Sequence, residues 1–68
     1  MRARNGMKTD ISDGSNPSWC IYRRYGHYVV SAVQSRVNNE VLAHVEPSYG
    51  PFKKISEARK CYSEVKDD

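Results

Sequence analysis

Residues 19–33 read WCIYRRYGHYVVSAV, and the way this stretch folds decides the rest of the chain. It holds the single Trp and three of the five Tyr, with β-branched residues between them. Such side chains fit the pleated, half-buried surface of a strand. Tyr25-Gly26 interrupts the run, and Gly26 can take the positive φ that a tight hairpin turn demands. Trp19–Arg24 and residues 28–36 are therefore expected as the arms of a hairpin.

Register decides which side chains point where. A two-residue loop sets Ile21 opposite Val30 and Trp19 opposite Ala32. One face then carries Trp19, Ile21, Tyr28, Val30 and Ala32, and the other carries Cys20, Tyr22, Arg24, His27, Val29, Ser31, Val33 and Ser35. A three-residue loop with a bulge at Gly26 would flip the first strand and turn Trp19 outward. The two-residue register is preferred because it buries the Trp.

Downstream, Val37-Asn38-Asn39-Glu40 reads as a second turn, because Asn tolerates the left-handed conformation. Residues 41–46 form the expected third strand, stopped by Pro47, which adds Val41, Ala43 and Val45 to the Trp19 face and Leu42 and His44 to the other. Ser48-Tyr49-Gly50-Pro51 reads as a turn, and Phe52 with Ile55 closes the edge of the core. Ser56 is the expected N-cap of a helix whose Ala58, Cys61, Tyr62 and Val65 recur at i, i+3, i+4 and i+7. The fold class is thus α+β: residues 18–68 form a three-stranded antiparallel β-meander packed against one C-terminal α-helix. Residues 1–17, with one branched aliphatic and no aromatic, are expected as a disordered tail, in which Met7 could equally be the start.

A chain of 68 residues makes one domain with a thin core. Its two Cys form no CxxC pair and no run is apolar enough to span a bilayer, so a reducing, cytoplasmic setting is expected, with no membrane contact. Net charge is +3: residues 17–68 carry eight Lys/Arg against six Asp/Glu, a mild bias that helps attract an acidic partner without selecting one.

No catalytic or cofactor motif stands out. In the expected register His27 and His44 lie about 20 Å apart along the sheet, at about 3.3 Å per residue, which no single zinc ion can bridge. Cys20 and Cys61 fall on opposite sides, so neither a metal site nor a disulfide is expected. No phosphate loop or nucleophile elbow is present, and a domain this thin has little room for a deep pocket. The informative constellation is Tyr22, Arg23, Arg24, Tyr25, His27 and Tyr28 at the hairpin tip, with Arg36 and His44 further along. Arg binds phosphate or stacks on bases, and Tyr offers a flat amphipathic surface. The same composition marks protein-interface hot spots, and the second face is apolar enough at Val29, Val33 and Leu42 to suggest a partner or a homodimer.

Tyr22-Arg23-Arg24-Tyr25-Gly26-His27-Tyr28, followed by Gly50-Pro51-Phe52, Glu57-Ala58 and Tyr62, carries a resemblance over roughly residues 19–65. The chain resembles the three-stranded-sheet-plus-helix DNA-binding modules of integrase arm-binding domains and plant ethylene-response factors. The pattern also suits small phage accessory proteins. In those modules the open sheet face enters the major groove, which implies contact by Tyr22, Arg24, His27 and Arg36. The expectation is a non-catalytic accessory module, without cofactor, that binds nucleic acid or a nucleic-acid-handling protein complex through the open sheet face and first hairpin. The alternative is a phage-type regulator or inhibitor that docks on a host or partner protein.

Overall fold

In the computed structural model, residues 7–12, 16–38, 40–42 and 46–66 are described. The strands are β1 (Met7–Thr9), β2 (Trp19–Arg24), β3 (His27–Ala32), β4 (Arg36–Val37), β5 (Glu40–Leu42) and β6 (Ser48–Phe52), followed by helix α1 (Ile55–Val65). The α+β class expected from the sequence is the class observed, but the strands divide between two sheets: β2-β3-β6 and β1-β5-β4, all pairs antiparallel.

The hairpin forms in the two-residue register, with Trp19 opposite Ala32, Ile21 opposite Val30 and Arg24 opposite His27. Tyr25 at φ 52° and Gly26 at φ 79° are both left-handed, the combination of a type I′ turn, whose twist matches the strands it joins. The second turn also closes as expected, pairing Val37 with Glu40 and placing Asn38 at φ 58°.

The third strand of the meander differs. The strand expected over residues 28–36 breaks after Ala32, where the Val33 amide donates to the Ser18 carbonyl (2.9 Å) and the Ala32 amide donates to the Pro47 carbonyl (3.0 Å). Strand β6, read as a turn in the sequence, takes the free edge of β3, pairing Ser48 with Ser31, Tyr49 with Val30 and Phe52 with Tyr28. Within the third strand expected over 41–46, Val41 and Leu42 belong to β5 in the other sheet, and Ala43, His44 and Val45 lie outside the described residues.

Two clusters sandwich the main sheet. Ile21, Val30, Ala58 and Tyr62 are buried on the helix side, flanked by Ile11, Trp19, Tyr28, Phe52, Ile55, Cys61 and Val65. All four residues of the expected helix stripe thus pack where the periodicity puts them. The helix starts two residues earlier than expected: Lys54 is the N-cap, not Ser56, and its backbone amide donates to the Glu57 side chain (3.3 Å). Glu57 therefore sits at N3 and caps in reverse, which satisfies an amide the helix leaves unpaired.

On the opposite face Cys20, Tyr22, Val29 and Val41 are buried, with Val33 against them. The sequence reading left this face open and placed Val41 on the other side. Strand β5 closes it instead. Full burial of Ile21, Val30 and Val41 is worth roughly 1.5–3 kcal/mol each. Cys20 and Cys61 belong to clusters on opposite faces of the sheet.

Beside that apolar contact of Val41, a polar clasp joins the two sheets. Asp10, expected in the tail, has a fully buried side chain and meets Arg36 Nη1 at 2.7 Å through Oδ2. Its Oδ1 accepts from the Ser12 amide (2.9 Å), the Ser12 hydroxyl (2.6 Å) and the Ile21 amide (3.3 Å). Arg36 Nη2 donates to the carbonyls of Asn16 (2.6 Å) and Trp19 (3.1 Å), and the Ile11 amide donates to the Ile21 carbonyl (2.8 Å). Of the expected disordered tail, then, residues 7–9 are a strand and residues 10–12 a clasp along the edge of β2, held by these hydrogen bonds and by Ile11 against the helix-side cluster. Residues 1–6 and 13–15 lie outside the described part.

Burial pushes the Asp10 carboxyl up, but the hydrogen bonds from Ser12, Arg36 and Ile21 outweigh it and hold it below its ordinary 3.8. The folded chain thus binds this proton less tightly than the unfolded one. The resulting stability is complete above the ordinary value and is lost as pH falls through the lower folded value. Asp10→Asn should lower stability at neutral pH by about 3 kcal/mol, the low end for a buried pair because Arg36 is partly exposed. It should also flatten the acid limb of the Tm–pH curve; an unchanged curve would show that the ion pair carries no weight.

A second prediction concerns the Tyr62 hydroxyl, which is buried without a hydrogen-bond partner. Leaving such a group unpaired costs roughly 1–3 kcal/mol. Tyr62→Phe should match or exceed the parent Tm, whereas Tyr62→Ala should lose about 3–5 kcal/mol in thermal or denaturant melts.

Candidate functional site

With one sheet face under the helix and the other under β5, the concave surface that remains lies at the hairpin tip. A cleft of about 260 Å³ opens there, lined by Tyr22, Arg24, Tyr25, His27 and Val29 from the hairpin and by residues 48–51 from β6. The alternation along β2 and β3 explains the first group. Tyr22 and Arg24 are two apart on one strand, and Val29 and His27 are their direct partners on the next, so all four share a face.

The wall from β6 depends on a bulge. Register shifts between Tyr28 and Val30, so Gly50 and Pro51 together oppose Val29. Gly50 takes φ +113°, and a Cβ there would stand 2.9 Å from the Tyr28 carbonyl oxygen. Only glycine fits, for conformation and for space.

Within the cleft Tyr22 is buried as floor, and burial raises its phenol above its ordinary value, against the lowering effect of the Arg24 charge and hydrogen bond. His27 Nδ1 lies 3.1 Å from the Tyr25 carbonyl oxygen. Because a carbonyl only accepts, this contact places the proton on Nδ1 and leaves Nε2 as the ring's remaining polar atom. Tyr25 is 90% exposed, and the Arg24 guanidinium stands over its ring at 5.7 Å from the centroid.

The structure therefore brings Tyr22, Arg24, Tyr25 and His27 together, as the sequence suggested. Arg23 points to the helix side, its guanidinium 5.8 Å from the Tyr28 ring centroid. Arg36 donates to Asp10 and to two backbone carbonyls and does not line the cleft. His44 lies outside the described residues.

Sequence reasoning missed Tyr49, Gly50 and Pro51, and also a basic neighbour. Arg23, Tyr28 and Phe52 form one rung across the sheet. The next positions outward are Arg24, His27 and then Lys53, with Lys54 following, and the four cations among these residues are all exposed. The hairpin's two arginines and the two lysines ahead of the helix thus form one positive end of the domain.

Among the described residues no cluster of three or more His, Cys, Asp or Glu is arranged to hold a metal, and no helix is long and apolar enough to cross a membrane. The Cys20 thiol is fully buried in the second cluster and is pushed up to about 12 by desolvation and the nearby Asp10 charge. The chain matches no protein-family model, no curated protein and no solved structure.

Gly50 gives the cleft a direct test. Gly50→Ala should lower Tm by several degrees and perturb the NMR shifts of Tyr28 and Val29 across the strand. A variant with parent stability and unchanged shifts would mean that the wall does not need the bulge.

Proposed function

We propose that this chain is a non-catalytic module that binds nucleic acid, or a complex that carries it, and that contact is made at the hairpin tip rather than across the sheet face. The observation supporting this most strongly is the convergence of Arg24, Tyr25 and His27 on one cleft, with the exposed Lys53 and Lys54 following the last residue of β6. Guanidinium and ammonium groups neutralise phosphate, and exposed aromatic rings take up bases. The face that the integrase and ethylene-response resemblance would send into a groove is occupied by Val41 and its strand, which favours contact at the tip.

The rival reading, a regulator that docks on a protein, draws on the Tyr25–Arg24 pair beside Pro51, side chains typical of interface anchors. The outer edge of β6 suits strand addition poorly, since it carries Pro51 and a bulge.

Salt separates the two readings. A fluorescent oligonucleotide titrated at several salt concentrations should show log K falling with log salt at a slope of about −2 to −3, as expected for three or so phosphates neutralised. Arg24→Ala and Lys53→Ala should each make that slope shallower by about 1. Failure of any oligonucleotide to bind at low salt would leave the protein-docking reading in its place.

A further inference from the structure

Tyr25 is the wrong residue for its turn. Both central positions of a type I′ turn need positive φ, and Asn, Asp and Gly fill them because bulky side chains are disfavoured there. Position 25 holds φ 52° with a tyrosine whose ring is 90% exposed. Folding gains little apolar burial from this side chain, over whose ring the Arg24 guanidinium stands at 5.7 Å. A strained backbone that carries an unburied aromatic points to a requirement outside the fold.

We propose that the Tyr25 ring is a stacking platform for one unpaired base of single-stranded nucleic acid, with Arg24 and Lys53 on the flanking phosphates. This rests on the nucleic-acid reading above and names the form of the ligand. Three observations favour a single strand over a duplex. The cleft is small, about 260 Å³, and its rim carries the exposed Tyr25 and Pro51, side chains of the kind a base face covers. Bases in a duplex keep their faces stacked on one another, whereas a single strand can splay one out. The Arg24 guanidinium already stands over the Tyr25 ring, so a base can add to an existing cation–π pair. Stacking of this kind tolerates every base, so recognition is of an unpaired strand rather than of a sequence.

The test uses the full chain and three labelled probes of equal length: a single-stranded oligothymidylate, the same backbone made abasic, and a thymidine–adenine duplex. The single strand should bind about 5- to 150-fold more tightly than the abasic strand, the range for stacking one base, and more tightly than the duplex. Tyr25→Asn should lose that advantage on the single strand, leave abasic binding as it was, and hold or raise Tm because Asn suits the turn. Tyr25→Trp should keep the advantage. Equal binding of single-stranded and abasic probes, or a Tyr25→Asn variant that binds like the parent, would overturn base stacking while leaving phosphate binding intact. A Tm that falls in Tyr25→Asn without loss of single-strand binding would make Tyr25 structural and overturn the proposal. Binding to none of the three probes would overturn both this inference and the nucleic-acid reading.

Discussion

The ion pair between Asp10 and Arg36 is the constraint on which the rest of this structure depends. One carboxylate gathers donors from Ser12, Ile21 and Arg36, and one guanidinium reaches Asp10, Asn16 and Trp19. The pair therefore ties the segment before β2, the edge of β2 and the start of β4 into one object. A buried ion pair is weak evidence for stability when compared with an apolar replacement, since desolvation offsets most of the attraction. Its value here is geometric: both carboxylate oxygens and both terminal guanidinium nitrogens are matched across the two sheets. For a domain of this size, with total stability on the order of 3–10 kcal/mol, breaking such a match removes a large share.

That clasp also decides what is left for function. Drawing Arg36 toward Asp10 bends the chain after β3 and lays β5 over Cys20, Tyr22 and Val29. A sheet face that would otherwise need a partner is thus satisfied within the chain. The valines that look like an interaction patch in the sequence are a second core. The cleft lies at the tip, where the type I′ turn holds Tyr25 out and the Gly50-Pro51 bulge shapes a wall. The ion pair and the cleft thus sit at opposite ends of the same hairpin.

Much of this was legible in the residues. The Tyr25-Gly26 turn, the hairpin register and the Ala58–Cys61–Tyr62–Val65 stripe follow from local rules of turn chemistry and periodicity, and each stands as expected. The clasp was not legible because its order comes from a polar match between residues 26 apart, which carries no hydrophobic period. Strand β6 was hidden for a different reason. Tyr49 and Phe52 lie on one face at a spacing of three, which is impossible in a regular strand and natural only when a bulge inserts a residue between them. Pro51 within the segment and Pro47 just before it favour a turn reading as well. Of the contact residues named from sequence, those set by hairpin alternation met at the cleft, and Arg36, whose partner lies in the supposed tail, did not.

Amide hydrogen exchange at Ile11 and Ile21 tests the clasp most directly, because the Ile11 amide donates to the Ile21 carbonyl and the Ile21 amide donates to Asp10. If residues 7–12 belong to the folded unit, both amides should exchange only through global opening, with protection equal to that of the Val30 amide at the centre of the sheet. Exchange of Ile11 at near the unprotected rate, with Val30 still protected, would show a frayed tail and an open sheet face, and would contradict the account.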